Sequence, residues 1–188
     1  MPTARSSLWM GTFGFGLIST LSYGIWAFGR GIPELPLYAL IALAFLGLTI
    51  AVMHRVWRPD SSWSRFAISF LAAFLTYAVI WSAGWFLFRG PAGEIFGSAL
   101  GLAGFAAITL GRKRESLLEG WALLFLFHTL GYTLGSLHFD AVRGKGLLAP
   151  IASSLALQPW VGQLLWGWWY GLGFGLGMSL LYRLARTK

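Results

Sequence analysis

His128 is the one ionisable side chain near the middle of a long apolar run. A charged side chain at that depth costs about 2.5–3.5 kcal/mol on insertion scales; a neutral imidazole costs less and still needs a partner. Tyr132 and Ser136 follow at i+4 and i+8, on the same face of a helix. His138 and Asp140 come next, at the mouth of that helix. On an antiparallel neighbour, Trp166, Trp169 and Tyr170 reach the depth of Tyr132 and Ser136. Together these eight residues predict an outward-opening ligand pocket with an aromatic wall and a polar floor. The competing use of the same residues is a His–Tyr or His–carbonyl bond that holds two helices together, with the tryptophans as an interfacial belt. Arg30, Arg89 and Arg143 make an outer basic ring, which either snorkels to lipid phosphates or draws an anionic solute to one mouth.

Several chemistries lack their residues, and no side chain is given a catalytic or metal-binding role. No Gly-x-Ser-x-Gly, no His-Glu-x-x-His and no magnesium-binding acidic pair occurs. With no cysteine in the chain, Cys-ligated metals, iron–sulfur clusters and c-type haem are excluded. A bis-His haem needs two histidines at one depth, whereas His54, His128 and His138 fall at the inner end, the centre and the outer end of their spans. A single His128 ligand to a chlorophyll-like pigment stays open. Retinal is disfavoured, because no lysine lies within a span.

The elements that carry these residues follow from hydropathy. The chain of 188 residues is 57% hydrophobic and 11% charged, with mean hydropathy +0.68. A soluble domain carries about a quarter of its residues as charges, so the expected solvent is lipid. Six apolar stretches are each long enough for a membrane-spanning helix: 8–28, 35–53, 66–88, 94–110, 117–138 and 161–183. The expected fold is therefore a single all-α polytopic domain over 1–188. The first stretch is too long for a signal-peptide core and is read as a retained helix.

Charge sets the orientation. Of the 14 Lys and Arg, ten lie on the side of Arg5, Arg55–Arg65, Arg112–Arg114 and Arg183–Lys188, and Arg30, Arg89, Arg143 and Lys145 lie on the other. The positive-inside rule places both termini in the cytoplasm, in a cell membrane of bacterial inner-membrane type. The net charge of +8 does not indicate nucleic acid, because the cations sit at span ends. Trp9, Trp57, Trp63 and Trp121 fall near inner ends and Trp26, Trp85 and Trp160 near outer ones, as an aromatic belt would.

Two runs look repeated. Trp26-Ala27-Phe28-Gly29-Arg30-Gly31 precedes Glu34, and Trp85-Phe86-Leu87-Phe88-Arg89-Gly90 precedes Glu94; a third Arg-Gly is Arg143-Gly144. They suggest three helical hairpins of one orientation. The apolar segment 147–158, bounded by Pro150 and Pro159, is too short to cross and predicts an interfacial or re-entrant helix on the outer face. Small-xxx-small glycine spacings recur in four spans, most densely at Gly167, Gly171, Gly173, Gly175 and Gly177. They predict tight internal helix packing, or faces for a second copy or a membrane partner.

These features point first to a small-solute transport component: a channel, carrier or substrate-capturing subunit. The alternatives are a non-catalytic subunit of a membrane complex that binds lipid or pigment, and an intramembrane enzyme on a lipid or prenyl substrate with His128 as its acid–base group. Membrane lipids are the expected surroundings in every case.

Overall fold

The computed structural model describes residues 4–186; Lys188 lies outside the described residues, as do the side chains of Arg5 and Arg114. Seven α-helices occur among them, and no strand: α1 (Ala4–Phe28), α2 (Glu34–Trp57), α3 (Trp63–Phe88), α4 (Gly90–Leu110), α5 (Leu117–Val142), α6 (Ala149–Ser154) and α7 (Pro159–Arg186). Four of them, α2 to α5, are long and apolar enough to cross a membrane, and the protein is a helical membrane protein. The α1 and α7 helices are as long, but they are rich in Gly, Ser, Thr, Trp and Tyr.

The helices overrun the apolar stretches at most ends, because backbone hydrogen bonding continues into polar flanks until a breaker intervenes. Ser62 caps α3 by accepting from the Arg65 amide, 3.3 Å. α2 extends to Trp57, with His54 and Arg55 in its last turn, where cations suit the helix dipole. At the α3–α4 junction the chain reverses through one residue, with Arg89 at φ 49° and Gly90 at φ 62°.

Successive long helices run antiparallel, so loops 58–62 and 111–116 and the end of α7 share one basic end of the bundle. Loops 29–33 and 143–158 share the far end, where α6 packs on α5. The closest pairs are α1 with α7, α5 with α7, α3 with α4, and α1 with α2. α2 with α3 and α4 with α5 touch much less.

Glycine explains the close pairs. Residues two apart on a helix point about 200° apart, so an alternating run of glycines opens two opposed faces. Gly167, Gly171 and Gly175 face α1, at Tyr23, Ser19 and Phe15, while Gly173 and Gly177 face α5, at Gly131 and Leu124. A Cβ on Gly171 would lie 2.8 Å from the Gly16 Cα, and one on Gly131 would lie 3.0 Å from the Gly173 Cα. In the α3–α4 pair, a Cβ on Gly84 would lie 2.7 Å from the Gly97 Cα. Lipid provides no hydrophobic drive between helices, so this backbone contact supplies the dispersion energy that holds the pairs.

Polar side chains inside the bundle bond locally. Thr12, Ser22, Thr49 and Ser179 each donate to the carbonyl four residues back, at 2.6–2.9 Å. The basic half is filled by rings. Trp57 stacks on Tyr182 (centroids 5.2 Å, 11°), donates to Ser179 Oγ at 2.9 Å, and packs with the buried Phe66 and Phe70.

Gly173→Ala is expected to destabilise the protein by about 1–3 kcal/mol, because the methyl meets α5 backbone that cannot yield. Gly47→Ala, with nothing within 4 Å, is expected to be neutral or stabilising. Thermal melts of both variants in one detergent check this, and equal melting points would remove the role given to Gly173.

Candidate functional site

Besides a shallow hollow of about 430 Å³ at the basic end of α4–α5, at Ala103, Leu117, Leu118 and Trp121, the weakly packed α2–α3 and α4–α5 pairs each leave a cavity at the far end. The larger, about 910 Å³, lies at the α2–α3 junction, with α1 and α7 behind it. Tyr23, Trp26, Glu34, Tyr38, Ile41, Trp81, Ser82, Trp85, Phe86 and Trp166 line it. The smaller, about 290 Å³, lies between α4 and α5 and is lined by Pro91, Glu94, Ile95, Ser98, His128, Thr129, Tyr132, Thr133 and Ser136.

A wall of rings divides the two. Tyr132, in the smaller cavity, lies 5.9 Å from Trp166 in the larger one, and Trp166 lies 5.6 Å from Tyr23. Tyr170 is packed within the wall, 5.5 Å from His128 and 6.4 Å from Tyr23.

His128 is 2% exposed. Its Nε2 shares a 2.9 Å hydrogen bond with the Tyr77 hydroxyl of α3. Phe174 and Tyr132 rings flank it at 5.1 and 6.3 Å. Its Nδ1 has no partner among the described residues. Whichever tautomer is present, one ring nitrogen is left over beside the smaller cavity, which offers hydroxyls and the Glu94 carboxylate. A buried polar atom without a partner is costly, and a polar ligand or water in that cavity would satisfy it.

The eight residues expected to form one pocket divide in space. His128, Tyr132 and Ser136 meet at the smaller cavity, Trp166 borders the larger, and Tyr170 stands between them. Trp169 and His138 stack on each other (5.7 Å, 28°) and line neither cavity; His138 Nδ1 donates to the Leu134 carbonyl, 2.8 Å. Asp140 is exposed, and its carbonyl accepts from the Arg143 and Lys145 amides. Arg30, Arg89 and Arg143 are exposed and line neither cavity; Arg143 lies over the Phe139 ring, 5.1 Å from its centroid.

Sequence reasoning left out Tyr77, Glu94 and Ser98, and nearly all the lining of the larger cavity. Tyr77 had a signal: a lone tyrosine in an apolar span at the depth of His128. The paired Trp26…Glu34 and Trp85…Glu94 runs had another, since Trp26, Glu34 and Trp85 line the larger cavity and Glu94 the smaller. Of the belt tryptophans, Trp9, Trp63, Trp85 and Trp160 are exposed, whereas Trp57 is 1% exposed and inside the core.

No family model matches this sequence, and no curated protein or solved structure matches it. The functional reading therefore stands on geometry.

The Tyr77–His128 bond is expected to couple α3 to α5 by about 0.6–2 kcal/mol. In a double-mutant cycle of Tyr77→Phe and His128→Leu, followed by thermal unfolding, the double variant should lose that much less than the sum of the singles. Strict additivity would mean that the bond contributes nothing.

Proposed function

We propose that this protein is a small-solute transport component, a carrier or substrate-capturing subunit, that takes its solute from the non-cytoplasmic side of a cell membrane. One observation carries the reading: a 910 Å³ cavity lies at the far end, above a basic half whose centre is filled by Trp57, Phe66, Phe70 and Tyr182. That volume suits a small organic molecule, and its aromatic lining with few polar groups is the usual make-up of such sites. A subunit that serves only packing has no need of it.

In this reading α1 and α7 cross the membrane with the four apolar helices, making six crossings, and the basic end faces the cytoplasm of a bacterial inner membrane. The contacts within α1–α2, α3–α4 and α5–α7 are in keeping with three hairpins. The solute-facing surface then consists of the junctions between hairpins. The smaller cavity, with His128, Tyr132, Ser136 and Glu94, is a polar annex across the ring wall.

Native mass spectrometry of the protein in mild detergent tests this. The expected spectrum is the subunit mass plus a small adduct that leaves on activation, and the adduct should be lost in Trp166→Ala. Adducts of lipid, pigment or foreign polypeptide alone would overturn the reading in favour of a complex subunit.

A further inference from the structure

The sign and the walls of the larger cavity narrow the solute. Among the described residues Glu34 is its only charged side chain, and no Lys, Arg or His lines it. Glu34 stands exposed in the first turn of α2, and among the described residues it makes no ion pair. The helix dipole accounts for an acid in that turn. It does not account for four indoles around the same space.

Those indoles form two walls. Trp81 and Trp85 of α3 lie near-parallel at 6.3 Å and 15° on one side of the cavity. Across from them Trp26 and Trp166 meet at 5.9 Å and 61°, with Tyr23 6.0 Å from Trp26. Ring faces carry negative potential, and a cation held between them is attracted most strongly when it is poorly hydrated. An anion would meet Glu34 and the ring faces with no countercharge. A bare metal ion would find too few oxygens, and a sugar would find only Ser82, two phenols, one carboxylate and the indole N–H groups for all its hydroxyls.

We infer that the larger cavity binds an alkylated ammonium ion, with Trp26, Trp81, Trp85 and Trp166 around the cation and Glu34 as its countercharge. This rests on the transport reading of the cavity and names the chemical class of its solute. The fit is to the cationic group and the apolar substituents on it, since the cavity is several times the volume such a group needs.

The test is a titration of the full chain in mild detergent, by calorimetry and tryptophan fluorescence, with choline and with its uncharged isostere 3,3-dimethylbutanol. Choline is expected to bind at least about tenfold more tightly than the isostere. Glu34→Gln, a change at an exposed position, should weaken choline by about tenfold and leave the isostere unchanged. A trimethylammonium lipid headgroup has the same chemistry, so a short-chain phosphatidylcholine is titrated in parallel. Tighter binding of choline makes the ligand a free solute; tighter binding of the lipid supports the cation site and places it on a headgroup. Equal affinity for choline and its isostere, or no effect of Glu34→Gln, overturns the inference. If no cation binds while the native spectrum still carries a small releasable adduct, the ammonium class falls and the transport reading survives. If no cation binds and no such adduct appears, both fall.

Discussion

The whole arrangement depends on backbone contact through α7. In lipid, apolar side chains gain nothing by leaving their surroundings, so helices associate only where atoms approach closely and in number. An alternating glycine run is the way for one helix to do this on two sides at once. Gly171 and Gly175 admit α1 while Gly173 and Gly177 admit α5, so α7 becomes the hub between them. A second close contact, Gly84 against Gly97, fixes α3 to α4. The junctions without such glycines, α2–α3 and α4–α5, are the ones that part at the far end. Packing and cavity therefore have one cause: contact energy is concentrated in some helix pairs and absent from others.

The two far-end cavities lie above a half whose centre is filled by rings. Trp57 lies between Phe15, Phe70 and Tyr182, with its indole N–H satisfied by Ser179, and Lys113 reaches the Leu184 carbonyl at 3.3 Å. At the far half the same ring chemistry is arranged as walls rather than as a plug. The Tyr132–Trp166–Tyr23 partition leaves polar groups on one side and indoles on the other. The Tyr77–His128 bond sits beneath the partition, tying α3 to α5 across the centre.

Composition and hydropathy made the helical membrane class legible, and glycine spacing made the two-faced packing of α7 legible. Helix ends were less so: α4 starts at Gly90 rather than at 94, since a proline in the first turn, Pro91, costs no helix hydrogen bond, and α5 runs to Val142 rather than 138, since no breaker interrupts the backbone there. The i+4 spacing of His128, Tyr132 and Ser136 tells which residues share a face. It does not tell which helix covers that face, because this depends on contacts made elsewhere along α4 and α7. The covering helix is α4, which brings Glu94 and Ser98. Trp57 shows the same limit: a tryptophan near a span end reads as belt from sequence, and only the neighbouring Tyr182 and Ser179 turn it inward.

The glutamates follow the same logic. A carboxylate at the depth of a helix end is tolerated where water or a ligand can reach it and is costly against a sealed helix face. Glu34 lines the open α2–α3 junction and Glu94 the open α4–α5 junction, each a few residues after an Arg-Gly turn. The third Arg-Gly, Arg143-Gly144, is followed by no acid before α7, and the α7–α1 junction is the one that glycine closes. Acid and opening go together, and glycine and closure go together. That correspondence sets Glu34 and Glu94 each at a cavity, because a charge in the closed junction would have neither water nor a partner.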